Sequence, residues 1–133
     1  MPGLVLKLRA SERIVVNGAT LEALGRPLRL RVLIRDADIL RLRDAVDPSR
    51  ADTPVGRLCH IVQLMVAGEA DAEMAVRDAR TLIDPLRIAF GTPAAAARLD
   101  EAARLLAIGR PYPALRLLKP LLREEAVLLG ATA

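Results

Sequence analysis

The residues that could do chemistry are few, and their spacing excludes most of what they could do. The chain has one cysteine and one histidine, Cys59 and His60, adjacent in sequence. Neighbours on a helix point about 100° apart, so the two cannot form two corners of a tetrahedral metal site. A nucleophile–base pair would need the lone histidine beside a serine or cysteine that the helix does not bring to it, and His60 reads as a partly buried helix residue. No glycine-rich phosphate loop of the Walker or dinucleotide type occurs. The carboxylate pairs Asp100-Glu101 and Glu124-Glu125 read as solvated helix surface. The chain is therefore not expected to be an enzyme, and no cofactor or metal is implied.

One set of side chains remains: Lys7, Arg9, Arg29, Arg31, Arg35, Arg41 and Arg43. They alternate with aliphatic residues, as in "LVLKLR" and "LRLRVLIR", a period of two that marks half-buried strands. Leu4, Leu6, Leu8, Leu28, Leu30, Val32 and Ile34 then share faces opposite the cations and are expected to be buried. Such a basic sheet face either keeps strands soluble or grips phosphates with guanidinium forks. Phe90 and Tyr112 are the only aromatic residues, which argues against a base-stacking platform.

The elements that must position these cations follow from turn chemistry. Asn17-Gly18 between "RIVV" and "ATL" signals a two-residue hairpin with Gly18 at positive φ. Gly25-Arg26-Pro27 breaks the chain before "LRLRVLIR", and "ILRLR" supplies a further short strand. The expectation is an antiparallel meander of four or five strands with one apolar and one basic face, packed on something else because its leucines would otherwise stay wet. "AVDPSRADTP" closes this β-domain, residues 1–50.

Residues 51–133 read as a bundle of about four helices. Thr53-Pro54 and Thr92-Pro93 each pair a capping hydroxyl with a proline suited to the first helical position. Leu58, Ile61, Val62 and Met65 give the first apolar stripe, ended at Gly68. Ala72, Val76, Ala79, Ile83, Leu86 and Phe90 give the second, which Pro85 should kink or split. Pro120 should interrupt the last helix in the same way. Tyr112 and Ala114 are expected to pack where the last two helices meet rather than to line a pocket. The fold class is thus α+β: a small antiparallel β-domain, then helices.

At 133 residues the chain can support one core, and its hydrophobic fraction of 53% is mainly aliphatic. The net charge is +4, with residues 1–52 carrying 10 basic and 7 acidic groups, which permits an anionic partner without requiring one. A single cysteine fits a reducing compartment. "MPGLVLKLRASER" lacks the apolar segment of a signal peptide, and no run is long enough to span a membrane, so a cytoplasmic location is expected.

Three blocks in order, "LVLKLRASERIVVNGATL", "TPVGRLCHIVQLM" and "GRPYPALRLLKPLLREEAVLLG", resemble the FlbT flagellum-biosynthesis repressor family. The family usually has Pro-Gly where this chain has Ala10-Ser11, and aromatic residues where Cys59 and His60 stand. The resemblance implies a post-transcriptional regulator that associates with the 5′ untranslated leader of flagellin messenger RNA and promotes its decay. It also implies partners such as FlaF or flagellin. The front part looks like CsrA, which binds messenger leaders through arginines on strand edges. On that likeness the seven cations would contact RNA, and a homodimer or larger assembly is expected. The alternative is an adaptor that binds flagellin, FlaF or a nuclease and acts on RNA only indirectly.

Overall fold

The computed structural model describes residues 4–33, 37, 39–41 and 51–130. Among these residues five short strands precede four helices, an α+β arrangement. Strands β1 (Val5–Leu8), β2 (Arg13–Val16), β3 (Ala19–Glu22), β4 (Leu28–Arg31) and β5 (Ile39–Arg41) all pair antiparallel. Helices α1 (Pro54–Val66), α2 (Ala72–Phe90), α3 (Pro93–Ala107) and α4 (Pro111–Leu128) follow.

The expected hairpin is present. Asn17 and Gly18 have φ of 48° and 85°, and Val16 pairs with Ala19 across them. Their right-handed twist suits a two-residue loop. The expected meander is not. β1 pairs with β4 in one two-stranded ribbon, whereas β2 lies between β3 and β5 in a separate sheet. Only β2 and β3 pair as sequence neighbours; the remaining pairings are non-local, and alternation within a strand carries no information about them.

Splitting the strands into two sheets changes the burial expected of the leucines. Leu6 and Leu8 are buried, while Leu28, Leu30 and Val32 are half-buried. Leu4, expected inside, is 59% exposed because it lies at the open start of the ribbon. Ile34 falls outside the described residues, as do Arg35 and Arg43. Leu6, Leu8, Ile14 and Ala23 make a small cluster of their own. Val15 and Leu40 instead join the main core under the helices and so pin the β2–β5 pair to the bundle.

Each helix packs on its two neighbours: α1 on α2 and α4, and α3 on α2 and α4. Short connections enforce this closed ring. Thr53 and Thr92 cap as expected, accepting hydrogen bonds from the backbone N–H groups of Gly56 and Ala95 at 3.1 and 3.2 Å. In α2 the buried positions are Ala75, Ala79, Ile83 and Leu86; Ala72 is exposed, and Val76 and Phe90 are half-buried. Neither internal proline splits its helix. Pro85 and Pro120 both lie on exposed sides, where the carbonyl that loses its amide partner can turn to water.

The reading of Glu124-Glu125 as solvated surface is half right. Glu124 is exposed, but Glu125 is buried at 6% exposure. Its Oε2 accepts a 2.9 Å hydrogen bond from the Val55 backbone N–H, at the start of α1. An amide at a helix N-terminus has no partner within the helix, and a carboxylate there also faces the positive end of the macrodipole. The last helix thus closes the ring by capping the first.

Candidate nucleic-acid interface

Residues directly opposite one another across a sheet stand about 5 Å apart at Cβ, so register decides which cations meet. In the β1–β4 ribbon Lys7 faces Arg29, and Val5 faces Arg31. Lys7, Arg29 and Arg31 therefore share one face, while Leu6, Leu8, Leu28 and Leu30 share the other. Arg9, just past the end of β1, follows Lys7 by two residues and is exposed as well. Among the described residues none of these four cations has a carboxylate partner.

The turn that follows β1 is built around Glu12. Its Oε1 accepts from the Arg9 backbone N–H at 2.9 Å, and its Oε2 accepts from Arg41 Nη1 at 3.2 Å. Ser11 holds φ of 64° at the third position of this turn, whose ends are joined by a 3.0 Å bond from Glu12 N–H to the Arg9 carbonyl. Arg41 is consequently tied: its side chain is 18% exposed and that of Glu12 only 7%. It links β5 to the β1–β2 turn. Of the seven candidate cations, the structure brings Lys7, Arg29 and Arg31 onto one face with Arg9 at its end, and separates Arg41 from them.

Other charges are matched locally. Arg13 pairs with Glu22 at 2.7 Å across β2 and β3, and Arg87 with Asp100 at 2.8 Å between α2 and α3. Arg104 and Glu101, one turn apart on α3, form two hydrogen bonds of 2.6 and 2.8 Å. The bonds from Arg104 hold the Glu101 carboxyl below its ordinary range and raise the guanidinium above its own.

The two residues with the most reactive side chains lie in α1, away from the basic strands. Cys59 is fully buried, and His60 is half-buried with Nδ1 lacking a hydrogen-bond partner. Among the described residues no cluster of three potential metal ligands occurs. Nor, among those residues, is any helix long and apolar enough to cross a membrane.

A second concavity was not anticipated from the sequence. It is a groove of about 630 Å³ between β1, β5 and α4, with Leu4, Leu6, Ile39 and Leu40 on one side and Tyr112, Leu115, Arg116 and Lys119 on the other. Ala114 is buried in the bundle, as expected. Tyr112 packs half-buried against the core, as expected, and also borders this groove. The usable signal was the i, i+3, i+7 spacing of Arg116, Lys119 and Arg123.

Fold and site together define a class: a small α+β protein with an exposed basic β-ribbon beside a helical bundle. The chain belongs to the family described as "Flagellar protein FlbT", which matches residues 4–129. It is similar to the "Probable flagellum biosynthesis repressor protein FlbT" of Chelativorans sp. (strain BNC1), 30% identical over 95% of this chain and 86% of that one. The protein of the same name from Brucella ovis is 31% identical over 95% of this chain and 82% of its own length. No solved structure matches the chain.

Proposed function

We propose that this chain is a cytoplasmic post-transcriptional regulator of flagellum biogenesis. In this reading it binds the 5′ untranslated leader of flagellin messenger RNA and promotes its degradation. The relatives' printed names support the flagellar and repressor parts of this reading. The observation that carries RNA contact is the register of β1 against β4. Two cations directly opposite one another, Lys7 and Arg29, repel, and Arg31 adds a third charge to the same face. A polyanion would relieve that repulsion. Lys7, Arg9, Arg29 and Arg31 would grip phosphates, while Arg41 would hold the Glu12 turn in place. The roles of Arg35 and Arg43 rest on sequence alone.

Titration of pure protein against the organism's flagellin leader, with scrambled RNA as control, tests this. Each phosphate neutralised on a single strand contributes about 0.7 to the slope of log affinity against log salt. Arg29→Ala with Arg31→Ala should weaken binding and flatten that slope by about 1.4. Arg98→Ala with Arg104→Ala should change little, since Arg98 donates to the Leu117 carbonyl and Arg104 is held by Glu101. Equal losses from both pairs would mean a diffuse charge effect.

The groove beside α4 favours a second reading, an adaptor that binds flagellin, FlaF or a nuclease and reaches RNA only through it. Unchanged leader binding by the ribbon variant would favour that reading. A homodimer or larger assembly belongs to either proposal, because among the described residues the β1–β4 ribbon is two strands wide.

A further inference from the structure

The groove between the strands and α4 continues along that helix. A second concavity, bordered by Pro120, Leu122, Arg123 and Ala126, shares Arg116 and Lys119 with the first. At about 100° per residue, Arg116, Lys119 and Arg123 fall within about 60° of one another around the helix. No acid of α4 shares the stripe: Glu124 lies on another side, and Glu125 turns inward to Val55. Neither Arg116 nor Arg123 has a carboxylate partner among the described residues. Apolar surface borders the cations on both sides, from Leu4 and Leu115 at one end to Leu122 and Ala126 at the other. Beyond it Val127 and Leu128 are 59% and 60% exposed.

We infer that this surface docks an acidic amphipathic helix of a partner protein. The stripe from Arg116 to Ala126 extends about 15 Å, close to three helical turns. A partner carrying carboxylates two helical turns apart would match Arg116 and Arg123 along it. Its apolar face would fill the cleft over Leu4, Leu6 and Leu115, the helix-in-groove mode of recognition. An aliphatic floor suits a leucine-bearing helix better than it suits RNA, which needs planar groups to stack its bases. Lys7, Arg29 and Arg31 stand on the opposite face of β1 and β4 from Leu6, so the docking surface is separate from the ribbon face. The inference stands whether or not the RNA reading does.

The test is a selection on the immobilised full chain from a displayed library of amphipathic helices of about 18 residues, the length of α4. Enriched sequences should carry Asp or Glu at i and i+7 beside an apolar stripe. A synthesised winner should lose roughly tenfold or more in affinity on Arg116→Glu with Arg123→Glu, and less with glutamine at both positions. Both residues are exposed, so the variants should melt like the parent; the glutamine pair serves if charge reversal disturbs folding. Arg29→Ala with Arg31→Ala should leave the peptide affinity unchanged. Enrichment of neutral or basic helices, no enrichment at all, or equal binding by the reversed variant would overturn the inference. So would displacement of the peptide by flagellin leader RNA on the ribbon variant, which would make the groove a nucleic-acid surface.

Discussion

The bundle and the strands are built to different standards. Around α1, α3 and α4, side chains such as Leu58, Leu99, Leu118 and Leu121 have no exposure at all. The strands are three or four residues long, every residue of β3 is exposed, and Leu24 and Leu33 are 78% and 82% exposed. Tight packing is thus concentrated in the helices and is thinner in the strands, where Lys7, Arg29 and Arg31 share one face. Binding segments are commonly drawn from the less stable parts of a fold. The contrast can be broken experimentally.

The largest effect should come from the bundle. Leu118→Ala should cost about 3 kcal/mol, combining lost transfer energy with a cavity that fixed helices cannot close. Leu30→Ala, at a half-buried ribbon position, should cost about 1 kcal/mol. Chemical denaturation of both variants measures the difference. Equal costs would mean that the ribbon is as much a part of the core as α4.

Next in size is the carboxylate that closes the ring. Glu125→Ala leaves the Val55 N–H buried without an acceptor and should cost about 1–3 kcal/mol. Glu125→Gln keeps an oxygen for that amide and should recover part of the loss. A neutral alanine variant would show that water reaches the start of α1.

Glu125 also shows what was legible in the sequence. It follows Leu121 by four residues and Leu118 by seven, the spacing of the buried stripe, so its burial could be read although its partner 70 residues away could not. Local signals were dependable. Asn17-Gly18 gave the hairpin, and the two threonine-proline pairs gave the starts of α1 and α3, because each acts through its own backbone. The pairing of β1 with β4 and of β2 with β5 was hidden, since alternation assigns faces within a strand and not neighbours. For that reason the basic side of the ribbon was readable, whereas the exposure of Leu4 and the tie between Arg41 and Glu12 were not. The groove on α4 depends on how a helix meets a sheet, which no local pattern specifies.

Two turns of the β part should respond in opposite directions. Gly18→Val puts a β-branched residue at φ of 85° and should cost about 1–2 kcal/mol. The added Cβ would stand 3.9 Å from the Val66 carbonyl oxygen, an ordinary contact, so backbone strain is the cause. Ser11→Gly places glycine where φ is already 64° and should gain up to about 1 kcal/mol. If neither variant moves the global melting temperature, the strands unfold separately from the bundle, and the contrast between the two regions becomes a boundary.

The smallest effect should come from charge on the bundle's surface. Glu101 and Arg104 lie on the surface, and the bonds from Arg104 lower the Glu101 pKa from its ordinary 4.5. A carboxyl whose folded pKa is depressed adds stability above its unfolded pKa and loses it as pH falls through the folded value. The pair should therefore help at neutral pH and contribute nothing once Glu101 is protonated. Glu101→Gln should lower the melting temperature slightly at neutral pH and not at all in acid below the carboxylate range, since exposed ion pairs are screened and costly to order. Thermal melts of parent and variant at the two pH values measure this. A loss at neutral pH as large as that from Gly18→Val would place the bundle's stability in its surface charges as well as its leucines, and the contrast with the strands would then no longer be one of packing alone.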